Sequence, residues 1–210
     1  MQVCTAWTEA HPYPIWADSN WHAVEGHGRR LQERLYRATT QKAWKKVKHL
    51  QKLLVRATSN QLLAIRRVTP ENQGNHTVGI AGVVYAPPEA RWRWLQEGLS
   101  LKGYKLQPVR RVSIPQDNGK PSPLGIPTGK ARVRQAIVTA ALEPAWEARF
   151  ATNSYGLRPG RCTRDASEAR QTTLPQRTSS PGRLDADISG CFDNSDHGPL
   201  VATRPVCTTT

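Results

Sequence analysis

No apolar run in this 210-residue chain approaches the roughly 18 to 20 residues that a membrane-spanning helix needs. The opening MQVCTAWTEAHPYPIW has neither the basic start nor the apolar core of a secretion signal. Together these absences predict a soluble, cytoplasmic protein with no membrane partner. Cysteine is sparse too: Cys4, Cys162, Cys191 and Cys207 make no Cys-x-x-Cys pair and are too few for a disulfide scaffold, so they read as reduced thiols. No internal repeat is present.

Negative charge is the remaining shortage. Asp and Glu number 16 against 30 Lys and Arg, a formal balance of +14. A surplus of that size favours a polyanionic partner. Nucleic acid comes first, because each phosphate neutralised by Lys or Arg releases counterions and adds sequence-independent affinity. An anionic membrane comes second. The length suits one large domain or two small ones and is enough to bury a core.

Along the chain, residues 1–17 show no apolar period and read as a tail. From an N-cap at Asp18 or Ser19, Trp21, Val24, Leu31 and Leu35 recur at helical spacing, with Gly26 and Gly28 each costing roughly 1 kcal/mol against Ala. The stretch from Gln41 to Thr58 predicts an amphipathic helix, with Trp44, Val47, Leu50 and Leu54 on one face and Lys45, Lys48, Lys52 and Arg56 on the other. That basic face is either a solvated surface or a nucleic-acid contact. Ser59 or Asn60 caps a third helix through Val68, and Pro88 to Leu101 predicts a fourth. Val109 to Ile114 alternates as a strand, Asp117-Asn118-Gly119-Lys120 turns the chain, and Leu124-Gly125-Ile126 returns. A helix after Thr128 carries Val133, Ile137, Ala140 and Ala141 until Pro144 ends or kinks it, and residues 170–183 read as a linker.

The stretch RLDADISGCFDNSDH, residues 183–197, concentrates four aspartates. Leu184, Ala186 and Ile188 alternate with Asp185 and Asp187, so a short strand would present both carboxylates on one side, and Gly190 lets the chain turn. Three readings stay open on these letters: an Mg²⁺ site for phosphoryl transfer with Asp187 as ligand, a DxD phosphatase with Asp185 as nucleophile, or an acidic turn with capping aspartates.

The ordered segments RRVSIPQDNGKPSPLGIPTGKARVRQAIVTAALEPAWEARF, NSYGLRPGR and LDADISGCFDNSDH resemble group II intron-encoded reverse transcriptases, also called maturases. The earlier segments SNWHAVEGHGRRLQERL, KVKHLQKLLVRATSNQLLAIRRVT and GVVY are similar to the N-terminal domain of that family, so the likeness covers nearly everything between Ile15 and His197. It implies an α+β fold: a tail (1–17), a helical RNA-binding N-terminal domain (18–101), fingers made of a β-hairpin plus helices (102–169), a linker (170–183), the first strand of an incomplete palm (184–197) and an off-pattern tail (198–210). It further implies Mg²⁺ at the Asp187 carboxylate and the Ile188 carbonyl, with Asp187 catalytic. Lys120, Arg158 and Phe192 would contact the nucleotide, Phe192 as a gate against the ribose 2′-hydroxyl, while Lys130, Arg132 and Arg161 join Lys45, Lys48, Lys52 and Arg56 on nucleic acid. Partners would be group II intron RNA or another structured RNA, with DNA primer and dNTP in full-length relatives.

The chain departs from the pattern at Ala81, Ser122, Leu157, Cys162, Arg164 and Ser195, and after His197 it leaves the pattern altogether. No Tyr-x-Asp-Asp occurs in it, so the expectation is a truncated or frameshifted product without polymerase activity of its own.

Overall fold

The computed structural model describes Trp16 and residues 19–69, 88–105, 107–115, 119 and 121–173, with short pieces at 186–188, 190–191, 194–196 and 198–199. Its elements in chain order are α1 (Trp21–Thr40), α2 (Trp44–Arg56), α3 (Thr58–Val68), α4 (Pro88–Gln96), β1 (Arg110–Pro115), β2 (Pro121–Ile126), α5 (Gly129–Glu147) and α6 (Thr163–Thr173). This is the expected α+β class, with helices first and a hairpin after them.

Each boundary has a local cause. Helix α1 starts at Asn20, not Asp18 or Ser19, because the Asn20 side chain accepts from the Ala23 amide at 3.0 Å. It stops where Lys42 enters the left-handed region at φ 56°. The Ala43 amide then reaches back to the Ala38 carbonyl and the Lys42 amide to that of Thr39, both at 2.9 Å. Those are the two bonds of a Schellman stop, with lysine where glycine is usual. Ser59 and Asn60 do not cap α3: Ala57 precedes it, Ser59 Oγ meets His27 Nδ1 at 2.8 Å, and Asn60 lies buried inside the first turn. Helix α4 ends at Gln96, earlier than expected, since Gly98 turns left-handed at φ 80°. That turn sends Leu99 into the core, where it is 2% exposed.

Helix α5 lies against α1, α2 and α3, and two apolar clusters meet along it. In one, Leu31, Leu35 and Ala38 of α1 pack with Val47, Leu50 and Leu54 of α2 on Ala141 and Ala145 of α5. In the other, Ala64, Ile65 and Val68 of α3 pack with Leu99 on Val133 and Ile137, and Trp16 and Trp94 lean on the edge. Trp16 is therefore part of the packed body and not of the expected tail. Gly28 permits the approach of α1 to α3, because a Cβ there would stand 3.0 Å from Leu63 Cδ1. Gly26 has open space around it, so nothing in the packing offsets its helix-propensity cost.

Pro144 neither ends α5 nor stands without compensation. A proline in mid-helix has no amide to give the carbonyl four residues back, here that of Ala140. Gln32 of α1 supplies the donor, its Nε2 reaching the Ala140 carbonyl at 3.2 Å. Asn60 makes a second polar link from within the core, donating to the carbonyls of Leu54 (3.0 Å) and Ile137 (3.3 Å). One backbone carbonyl of α2 and one of α5 thus share a single buried amide.

The hairpin pairs antiparallel from Arg110↔Ile126 to Pro115↔Pro121, and most of its residues are exposed. Helix α6 has no buried residue, so no apolar period announced it, and it runs to Thr173 through part of the expected linker 170–183. Its start is fixed by Asp165 Oδ2 accepting from the Cys162 amide at 2.7 Å. The expected strand over 184–188 does not form across Ala186, Asp187 and Ile188, which are irregular and exposed. A strand needs a neighbour to complete its hydrogen bonds, and β1 and β2 pair only with each other among the described residues.

Two stability changes follow. Replacing Lys42 by Gly relieves the left-handed strain and should raise unfolding stability by about 1 kcal/mol in a denaturant titration. Gln32→Leu leaves the Ala140 carbonyl without its donor and should lower stability by about 1–3 kcal/mol in the same assay.

Candidate nucleic-acid interface

Helix α2 carries its cations on the side away from the core. With Val47, Leu50, Gln51 and Leu54 buried, the 100° step per residue puts Lys45, Lys52 and Arg56 opposite them, and Lys48 on the flank. Lys45, Lys48 and Arg56 are exposed and Lys52 is half-buried. The helix WKKVKHLQKLLVR has no acidic residue to neutralise them. Trp44, expected on the docked face, sits at its rim and is 45% exposed.

Such a stripe repels itself. Like charges one turn apart cost about 0.2–0.5 kcal/mol per pair, so the neighbours from Lys45 to Arg56 cost about 1 kcal/mol together. Burying Val47, Leu50 and Leu54 stabilises by about 1.5–3 kcal/mol each and wins easily. The apolar face therefore holds the cations in one row, spaced at i, i+3, i+7 and i+11.

The other expected cations are differently placed. Lys130, at the start of α5, pairs with Glu97 beyond α4. The Lys130 ammonium holds the Glu97 carboxyl below the usual carboxylate range. That pairing is complete above the ordinary carboxylate range and is lost as pH falls through the lowered value. Arg132, in the same first turn, is half-buried. Arg158 lies inside the protein at 8% exposure, its guanidinium 2.5 Å from a Glu147 carboxylate oxygen and stacked 3.9 Å from the centre of the Phe150 ring. Arg161 donates to the carbonyls of Thr152 and Ser154 and approaches the other Glu147 oxygen at 4.0 Å. The arginines of YGLRPGR thus clamp their own loop to the end of α5. Glu147, which holds both, carries no signal in the sequence beyond its place in the matched segment.

Lys120 and Phe192 lie outside the described residues, as do Asp185 and Asp193. Asp187 is exposed, and its Oδ1 accepts from the amide of Ile188, itself 72% exposed, at 2.8 Å. Among the described residues no three His, Cys, Asp or Glu side chains gather around a point that would hold a metal. Mg²⁺ demands an octahedron of oxygens. One exposed carboxylate already engaged with its own backbone does not make a magnesium site on its own. The carboxylate that Arg158 meets is that of Glu147.

Among the described residues no helix is long and apolar enough to cross a membrane. Residues 16–97 match the family described as the N-terminal domain of reverse transcriptase. The chain is 36% identical over 159 residues to protein YkfC of Escherichia coli, covering 72% of this chain and 42% of that protein. It is 38% identical over 132 residues to the group II intron-encoded protein LtrA of Lactococcus lactis, covering 62% of this chain and 22% of that protein. A 91 kDa protein in the cob intron of Schizosaccharomyces pombe is 31% identical over 106 residues, 50% of this chain and 13% of that protein. The matched stretches thus span less than half the length of each of these relatives. Helices α1 to α4 fall within the matched stretch, and together with the similarity to a group II intron-encoded protein this supports an N-terminal reverse transcriptase/maturase region.

Proposed function

We propose that this region binds structured RNA, group II intron RNA in the first instance, through the solvent face of α2, as part of an RNA-directed DNA polymerase and maturase. The observation that carries the reading is the row of Lys45, Lys48, Lys52 and Arg56 on a helix whose opposite face is locked into the core. Phosphates set along this row would relieve its self-repulsion and release counterions, so the strain of building the stripe is recovered on binding. Lys130 and Arg132 lie on the first turns of α5 and would extend the basic surface once RNA competes with Glu97 for Lys130.

Catalysis belongs to the same proposal in a restricted form. In the polymerase reading, Asp187 and the Ile188 carbonyl would hold Mg²⁺ together with further carboxylates, and Lys120 and Phe192 would face the nucleotide. The 210 residues contain no Tyr-x-Asp-Asp, which supports the view that this polypeptide alone does not extend a primer. Arg158 and Arg161 would act there by fixing the loop after α5 through Glu147, leaving direct phosphate contact to other groups.

Filter binding of intron RNA across a salt series tests the reading. The wild-type affinity should fall steeply with salt. Replacing Lys45, Lys48, Lys52 and Arg56 together by Ala should lower the slope of log K against log salt by about 3, near 0.7–0.9 for each phosphate no longer neutralised, with the helical circular dichroism unchanged. An unchanged slope in the folded variant would place the RNA elsewhere.

A further inference from the structure

We infer that the surface formed by Trp44, Trp146, Arg149 and Phe150 is a stacking platform for unpaired bases of RNA, beside the phosphate-binding row of α2; the inference rests on the RNA-binding reading of that row. Sequence patterning assigns Trp44 to a packed face, yet it is 45% exposed, and Trp146 and Phe150 are each 50% exposed. Single exposed apolar residues are ordinary, but here three rings share one surface. The Arg149 guanidinium stands 5.1 Å from the centre of the Trp44 ring and 5.5 Å from that of Trp146, and Trp146 is 6.1 Å from Phe150.

Two features select bases as the occupant. The first is rigidity: Phe150 is held from one side by the Arg158 guanidinium at 3.9 Å, and Arg158 is fixed in turn by Glu147. A ring backed in this way offers its remaining area without first having to order itself. The second is charge. Arg149 lies between the indoles, Lys45 follows Trp44, and Lys48 sits one turn further along the same side of α2. Glu147, the acidic neighbour in sequence, has its carboxylate committed to Arg158 and Arg161. Aromatic rings interleaved with guanidinium and ammonium groups suit a strand that is flat and apolar at its bases and anionic at its phosphates. A purely apolar protein face would leave Arg149, Lys45 and Lys48 desolvated without partners.

The test compares two probes on the full chain: a short oligouridylate and a blunt RNA duplex with the same number of phosphates. Trp146→Ala should weaken oligouridylate binding about tenfold while changing duplex binding less than about twofold, because a duplex exposes no base faces along its length. Trp146→Phe should recover most of the loss, and Lys48→Ala should weaken both probes alike. If Trp146→Ala weakens both equally, or neither, the platform is overturned while RNA binding stands. If the wild-type chain binds neither probe at low salt, the RNA reading itself fails before any variant is made. Self-association that Trp146→Ala abolishes, with oligouridylate affinity unchanged, would make this a protein-docking face and would also overturn the inference.

Discussion

Burial of one face of α2 decides what the rest of the molecule can present. Val47, Leu50 and Leu54 are each 5% exposed or less, and they enter the same cluster as α1 and the far end of α5. A helix pinned on that side has no freedom to rotate, so its remaining side chains point where the pattern sends them. The consequence is a basic row maintained against its own repulsion by packing several times stronger than that repulsion. Nothing in the row needs internal acidic partners to stay in place.

Helix α5 makes the pinning possible, because it runs across both apolar clusters and gathers α1, α2 and α3 around one axis. Its length depends on tolerating Pro144, and the Gln32 amide at the Ala140 carbonyl shows how a neighbouring helix supplies what proline withholds. The far end of α5 then anchors the following loop: Glu147 takes Arg158 and Arg161, and Arg158 supports Phe150. Core, loop clamp and exposed aromatics are therefore linked through a single helix. A disturbance at its centre would reach the surface on both sides.

Much of this was legible in the residues. The period of apolar positions in α1, α2, α3 and α5 predicts the faces that the structure buries, because a 3.6-residue repeat leaves little choice once a core exists. The hairpin followed from the alternation in Val109–Ile114 and the turn chemistry after it. Compensations across the fold were not legible. That Gln32 would satisfy a carbonyl 108 residues away, or that Asn60 would serve two helices instead of capping one, depends on tertiary placement alone. The arginines in YGLRPGR read, by family likeness, as nucleotide and nucleic-acid contacts, and the structure turns them onto Glu147. Helix α6 escaped the pattern because it buries nothing. The acidic stretch is legible chiefly through its family likeness, since Asp187 stands exposed and the described residues bring it no fellow ligands.

On the proposed reading the region divides into a basic side, for phosphates, that the fold builds from its own residues and a polymerase side for which it contributes letters. Matched stretches that cover 42% and 22% of the relatives fit that division. Lysine acylation footprinting with and without bound intron RNA reads the first side residue by residue. Bound RNA should protect Lys45, Lys48 and Lys52 from the reagent while Lys102 and Lys105, outside the proposed surface, keep their reactivity. Full acylation of the three α2 lysines in a saturated complex would contradict the account.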